Sequence, residues 1–185
     1  MNDYIIKKLR RQKVYLMITI AAVVLSVLGA VLLSVPIPVE RTIHAIEIKQ
    51  NDPSYCVERE VTIQGVYNLN LLRPHRYSGT LSISGYEETV APNQLWPIYF
   101  YDCDLLRYYW EEQITGSPRN EQYEVWRGVL YSEFDFQNAA IIVGIKGEDG
   151  RYSYRSDTQP IIVFGATDRE DAMERVEKII VTPHG

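Results

Sequence analysis

The chain opens with an apolar run and continues with segments in which hydrophobic and polar residues alternate. Residues 14–35 carry no charge, and four of these 22 residues have polar side-chain groups: Tyr15, Thr19, Ser26 and Ser34. A helix of this length measures about 33 Å, which exceeds the hydrocarbon thickness of a bilayer, about 30 Å. Because backbone groups in lipid must be hydrogen-bonded within the segment, the run predicts one transmembrane helix over residues 14–35.

The flanking charges predict the orientation of this helix. Residues 1–13 hold five cations against one acid, Asp3: Lys7, Lys8, Arg10, Arg11 and Lys13. Such cations are held on the cytoplasmic side, so we expect a basic cytoplasmic tail, a single-pass location in the cell membrane and a C-terminal domain outside. A cleaved secretory signal and a buried soluble helix are the alternatives. The length of the run and the lack of an A-x-A site before Pro36 favour a retained signal-anchor.

Beyond the apolar run, the pattern changes to that of β-strands. Residues 36–41 predict a short linker, and residues 42–185 predict one extracytoplasmic β-rich domain. Hydrophobic residues alternate with polar ones from Val57 to Leu71, with Gly65 as a candidate bulge, and again from Tyr77 to Tyr86. This period of two is that of half-buried strands, so the two segments predict a hairpin.

Two later stretches complete the predicted fold. A turn at residues 146–150 predicts a second hairpin, and a short helix follows the buried strand 161–164. Thr167 with Glu170 forms a candidate capping box, and the apolar helix residues share one face: Ala172, Val176, Ile179 and Ile180. The predicted class is α+β, with a transmembrane helix followed by a mainly antiparallel domain, barrel-like or sandwich-like, and one C-terminal packing helix.

The net charge of the chain narrows the classes of partner that it can bind. The formal net charge of the chain is -5, and it becomes -9 when residues 1–13 are left out. An acidic domain repels phosphate backbones, and its arginines are scattered along the sequence. The composition therefore predicts no nucleic-acid partner. The expected partners are the membrane and a protein or cell-envelope component.

Several segments carry a family resemblance. These are the V-T-I-x-G-x-Y segment at residues 61–67, the G-T-L-S-I-S segment at 79–84 and the T-D-R-E-D-A segment at 167–172. Together with the basic tail and the apolar run, they resemble small uncharacterised single-span membrane proteins of Gram-positive bacteria. The resemblance implies location and architecture, and it carries no functional residue.

Two cysteines lie in the domain that we expect outside the cytoplasm. Cys56 and Cys103 would close a loop of 47 residues. A disulfide there would stabilise the domain by about 3 to 4 kcal/mol in the chain-entropy model. The alternative is two separate buried thiols that pack as small hydrophobic groups.

The sequence contains none of the usual signatures of a catalytic or metal centre. The three histidines have no metal-ligand spacing, and no serine follows the G-x-S-x-G pattern. We therefore expect no catalytic residue, no metal and no cofactor. Paired acids at 87–88, 111–112 and 148–149 leave an envelope hydrolase as the alternative function.

Aromatic content is the remaining compositional feature, since the chain contains 14 tyrosines. Four residues form a candidate aromatic binding surface: Tyr99, Tyr101, Tyr108 and Trp110. Exposed rings of this kind contact sugars or peptides, whereas strand alternation would bury every second one in the core. The sequence thus favours a binding, structural or accessory module over an enzyme.

Overall fold

A computed structural model describes residues 2–32, 34–70, 74–100, 103–113, 120–132 and 136–181. In these ranges the chain forms two α-helices and eleven strands, in the order α1 Asn2–Leu32, β1 Ser34–Lys49, β2 Asp52–Asn70, β3 His75–Ile83, β4 Gln94–Leu95, β5 Ile98–Phe100, β6 Asp104–Gln113, β7 Asn120–Ser132, β8 Ala139–Val143, β9 Ile145–Lys146, β10 Tyr152–Ser153, β11 Ile161–Phe164 and α2 Arg169–Val176. A short 3₁₀ helix, Glu87–Thr89, precedes β4, and a π-helical turn, Glu177–Val181, follows α2.

Nine strands form one curled sheet that resembles half of a barrel. Their order is β4-β6-β7-β8-β11-β1-β2-β3-β5, and every pair is antiparallel. β5 at one end of the sheet leads directly into β6, which is second from the other end, and the backbone N–H of Tyr99 on β5 donates to Asp104 Oδ2 on β6 at 2.6 Å. The prediction of a mainly antiparallel domain with a C-terminal helix is confirmed.

Alternation along the strands fills two apolar layers. The residues on the inner face of the curl form the larger core, with Tyr77, Tyr108 and Phe164 among its fully buried members. The outer face of β1, β8 and β11 is covered by α2, which buries Ala172 and Val176 against it. The predicted packing face of the C-terminal helix is therefore confirmed.

The N-terminal segment differs from the predicted boundaries. Helix α1 begins at Asn2, within the predicted tail, because the lysines and arginines of this segment are good helix formers. In the described part of the chain, neither helix has the length and apolar character needed to cross a membrane. Large apolar side chains of α1 are nevertheless exposed: Val14, Tyr15, Leu16, Met17, Ile18, Ile20, Val23, Val24, Leu25 and Leu28.

Residues 36–41, predicted as a linker, instead belong to β1. This part of β1 pairs with β2, with Pro36 opposite Asn68 and Pro38 opposite Val66. Among the described residues, β1 pairs with β11 only over Ala45–Ile48, so the earlier half of β1 forms an edge there. An edge tolerates prolines that lack an N–H group, which explains why they did not prevent a strand.

Candidate functional site: an aromatic and cationic surface

The four aromatic residues singled out from the sequence do not form one surface. Tyr108 is fully buried and its hydroxyl donates to the backbone oxygen of Leu81, so its assignment to a binding surface is wrong. Because side chains alternate along β6, the side chain of Tyr108 points to the inner face of the curled sheet. Tyr99 and Trp110 are exposed, at 42% and 38%, whereas Tyr101 lies outside the described residues.

The two cysteines are free thiols on the surface. Cys56 lies on β2 and Cys103 immediately precedes β6, and β2 and β6 are not neighbours in the sheet. This arrangement differs from both sequence-based alternatives, the disulfide and the pair of buried thiols. A disulfide requires Cα atoms within about 7 Å of each other.

A different set of aromatic residues meets on the outer face of β6. Trp96 is 48% exposed, and its ring centroid lies 5.3 Å from that of Tyr109. Tyr109 points outward although its neighbour Tyr108 is buried, because consecutive strand residues face opposite sides. The pairing register shifts here, since Tyr108 lies opposite Trp126 and Tyr109 opposite Glu124 on β7. The Tyr109 hydroxyl donates to Glu124 Oε2 at 3.2 Å.

Glu124 connects this aromatic pair to an arginine. Its carboxylate accepts from Arg127 Nη2 at 2.6 Å, and Arg127 Nε lies 2.5 Å from Glu124 Oε1. Burial alone raises the pKa of Glu124, but the hydrogen bond and charge of Arg127 outweigh burial and hold the pKa below its usual value. The same hydrogen bond raises the pKa of Arg127. Both groups are therefore charged at neutral pH.

The arginine in turn packs on the β9–β10 hairpin. The guanidinium carbon of Arg127 lies 5.0 Å from the ring centroid of Tyr152, and Lys146 Nζ lies 5.9 Å from it. Both distances allow cation–π attraction. Tyr154 stacks beside Tyr152, with ring centroids 6.5 Å apart. Because Tyr152 and Tyr154 are two residues apart, they point the same way.

These contacts form one continuous patch, which we call the aromatic–cationic surface: Trp96, Tyr109, Glu124, Arg127, Lys146, Tyr152 and Tyr154. An open cleft of about 550 Å³ lies within it, bounded by β7, β9, β10 and the turn that joins the last two. This volume is in the range of small-molecule sites, about 300–1,000 Å³.

A second polar cluster surrounds the buried carboxylate of Glu47. Glu47 is 1% exposed, and its carboxylate accepts from Tyr55 at 2.5 Å and from Arg59 Nε at 2.6 Å. The Arg59 guanidinium also lies 5.3 Å from the Tyr86 ring centroid. Both carboxylate oxygens of Glu47 are thus partnered, so removal of one partner would leave a buried charge uncompensated.

Next to this cluster lies a shallow depression of about 220 Å³, lined in part by Glu60 and Glu87. Both acids are exposed, and neither takes the desolvated position that a general acid of a hydrolase needs. Among the described residues, no group of three or more histidines, cysteines or acids is placed to hold a metal ion.

The sequence-based reasoning missed the surface because its members are far apart along the chain. Local signals existed for parts of it, since Tyr152 and Tyr154 alternate in a predicted hairpin and Glu124 and Arg127 are three residues apart. No local pattern in the sequence predicted that these residues lie close to Trp96.

Comparisons with protein-family models, with curated proteins and with solved structures found no match. The resemblance to single-span membrane proteins of Gram-positive bacteria stays a prediction.

Proposed function

We propose that this chain is a non-enzymatic binding module that α1 anchors in the cell membrane and whose β domain binds an envelope or partner component outside the cell. The observation that carries the binding role is the aromatic–cationic surface. It joins an exposed indole, three tyrosine rings and an ion pair in one patch. Aromatic residues and arginine are the groups that interfaces favour.

Three features support the anchor. Residues 14–35 are free of charge and are preceded by five cations. Among the described side chains of α1, ten large apolar ones between Val14 and Leu28 are roughly half exposed or more. The hydroxyls of Thr19 and Ser26 donate to the carbonyls of Tyr15 and Ala22, so they are satisfied within the helix, as lipid requires.

The position of the domain is tested by labelling whole cells with a membrane-impermeant maleimide. Cys56 and Cys103 are exposed thiols, and we expect both to react without permeabilisation. A chain with both cysteines changed to serine and with Asn2→Cys should react only after permeabilisation. The reverse labelling pattern would contradict the proposed orientation.

The binding role is tested by sedimenting cell-envelope fragments with the purified full chain in detergent micelles. We expect the wild type to sediment with the fragments and the double variant Trp96→Ala/Tyr152→Ala to stay in the supernatant. Trp110→Ala is the matched control, because Trp110 forms a similar ring pair with Tyr123, at 6.0 Å, outside the surface. Unchanged sedimentation of the double variant would overturn the proposal.

A further inference from the structure

The open cleft in the aromatic–cationic surface gathers positive charge within an acidic domain. Its walls are formed by Glu124, Arg127, Lys146, Gly150, Arg151 and Tyr152. Three of these six residues are cationic and one is acidic. The domain after residue 13 carries a net charge of -9, so this local excess of cations runs against the charge of its surroundings.

A fourth cation lies beside the cleft. Arg107 on β6 stands directly opposite Arg127 on β7. Like charges in this position repel each other across a sheet. Glu124 contacts Arg127 through both of its oxygens and therefore compensates one of the two charges.

The other two cations of the cleft have free hydrogen-bonding capacity. Lys146 makes no ion pair with a carboxylate in the described part of the chain, and its ammonium group lies near the Tyr152 ring. Arg151 is 89% exposed, and its one described carboxylate contact, with Asp149, is 3.9 Å long. Glu88 adds one more negative charge near Tyr152. Among the six residues that line the cleft, three positive charges thus stand against one negative charge, an excess of two.

We propose that this cleft binds a phosphate monoester group, held by Lys146 and Arg151 against the fixed guanidinium of Arg127. This inference rests on the proposed binding function and names the ligand class of the same surface. A phosphate monoester carries close to two negative charges at neutral pH and three acceptor oxygens. Arginine binds such oxygens with a planar fork and lysine binds them as a point charge. A single dianion thus neutralises the two positive charges of the cleft lining that Glu124 does not compensate.

Arg127 is already held in place before the ligand arrives. Glu124 bonds it on one edge, and the Tyr152 ring lies 5.0 Å from its guanidinium carbon. Fixing a binding group in advance lowers the entropy cost of binding. Lys146 and Arg151 then supply the adaptable contacts from the hairpin.

The test uses the full chain in detergent micelles and isothermal titration calorimetry with glucose 6-phosphate, inorganic phosphate and uncharged glucose. We expect both phosphates to bind, and glucose not to bind. Lys146→Glu and Arg151→Glu should each weaken phosphate binding by about tenfold or more, because each reverses a charge at the ligand. Added salt should weaken binding to the wild type.

Lys178→Glu is the matched control, since Lys178 is an exposed lysine beyond α2 that pairs with Glu174 at 2.5 Å. It should bind phosphate as the wild type does. Equal affinity of the cleft variants and this control, or equal binding of glucose and glucose 6-phosphate, would overturn the inference. Sedimentation of envelope fragments with the same variants separates the two proposals. If only Trp96→Ala/Tyr152→Ala abolishes sedimentation with the fragments, the general binding role is supported and the phosphate site is not.

A further arm distinguishes the source of the phosphate. Phosphatidylcholine vesicles with and without phosphatidic acid offer the same monoester as a lipid headgroup. Binding of the soluble esters together with the acid-containing vesicles supports a site open to both sources, and binding of soluble esters alone supports a free ligand. Failure of both kinds of probe overturns the proposal.

Discussion

Arg59 Nε lies 2.6 Å from Oε2 of Glu47, a carboxylate that is only 1% exposed. Gly85 makes this contact possible, because a Cβ at that position would collide with the Arg59 guanidinium. The hydroxyl of Tyr55 donates to the other oxygen of Glu47. The buried charge of Glu47 is therefore compensated by groups from β2 and by the space beside a glycine.

Arg59→Met should destabilise the domain strongly, because it leaves the buried carboxylate of Glu47 without its cation. We expect the free energy of unfolding, measured by urea denaturation of the full chain in micelles, to fall by about 3 kcal/mol. Arg155→Met is the control, since the Arg155–Asp157 pair is exposed at 69% and 59%. Its loss should cost less than about 1 kcal/mol. Equal losses in the two variants would contradict this role of Glu47.

Tyr55 should make stability depend on alkaline pH. Burial, followed by the hydrogen bond and charge of Glu47, raises the pKa of Tyr55 to about 12 from its ordinary value of 10.0. Between these values the unfolded chain loses the proton while the folded chain keeps it, so the stability present below pH 10 is lost as pH rises toward 12.

Tyr55→Phe removes this linkage. We expect the free energy of unfolding to fall less steeply between about pH 10 and 12 in this variant than in the wild type. Urea unfolding at a series of pH values measures the two slopes. Identical slopes would show that Tyr55 titrates alike in the folded and unfolded chains.

Gly65→Ala should destabilise the β2–β3 pair. Gly65 faces Gly79 directly, and a Cβ on Gly65 would lie 2.7 Å from the Gly79 Cα and 2.8 Å from the Tyr77 hydroxyl. Overpacking of this kind costs about 1–3 kcal/mol, which urea denaturation would detect. Gly29→Ala is the control, because a Cβ there meets nothing within 4 Å. An unfolding curve for Gly65→Ala that matches that control would refute the close-approach explanation.

Asp168→Ala should weaken α2 by about 1 kcal/mol in thermal or urea unfolding. The Asp168 carboxylate accepts from the backbone N–H of Asp171 at 2.9 Å, which makes Asp168 the N-cap. Thr167→Ala, at the position predicted from the sequence, should have a smaller effect. A larger effect of Thr167→Ala would instead indicate that Thr167 is the N-cap residue.

Much of the local structure followed from the sequence pattern. The alternation at Val61 and Ile63 predicted buried positions on β2, and both residues are fully buried. The β2–β3 and β9–β10 hairpins were also predicted, because a period of two followed by turn residues is a local signal. The helix cap was misplaced by one residue, since Thr167 and Asp168 are both good capping residues.

The interaction surface could not be predicted in the same way. Tyr108 and Tyr109 are adjacent tyrosines with the same strand propensity, yet one fills the core and the other reaches Glu124. The positions of their side chains depend on which face of β6 forms the inside of the curl and on the register shift in β7 opposite them. A sequence records the period of a strand, whereas the identity of the inward face depends on pairing with distant strands.

The sequence by itself determined the apolar N-terminal run, the strand-rich domain, the two hairpins and the C-terminal helix, because each depends on neighbours a few residues apart. Only the tertiary structure decided that β1 includes Pro36 and Pro38, that Cys56 and Cys103 are exposed, and that Trp96 meets the Arg127 region. Those outcomes depend on strand order and on the curvature of the sheet. Both are set by contacts between residues far apart in the chain, which no local pattern encodes.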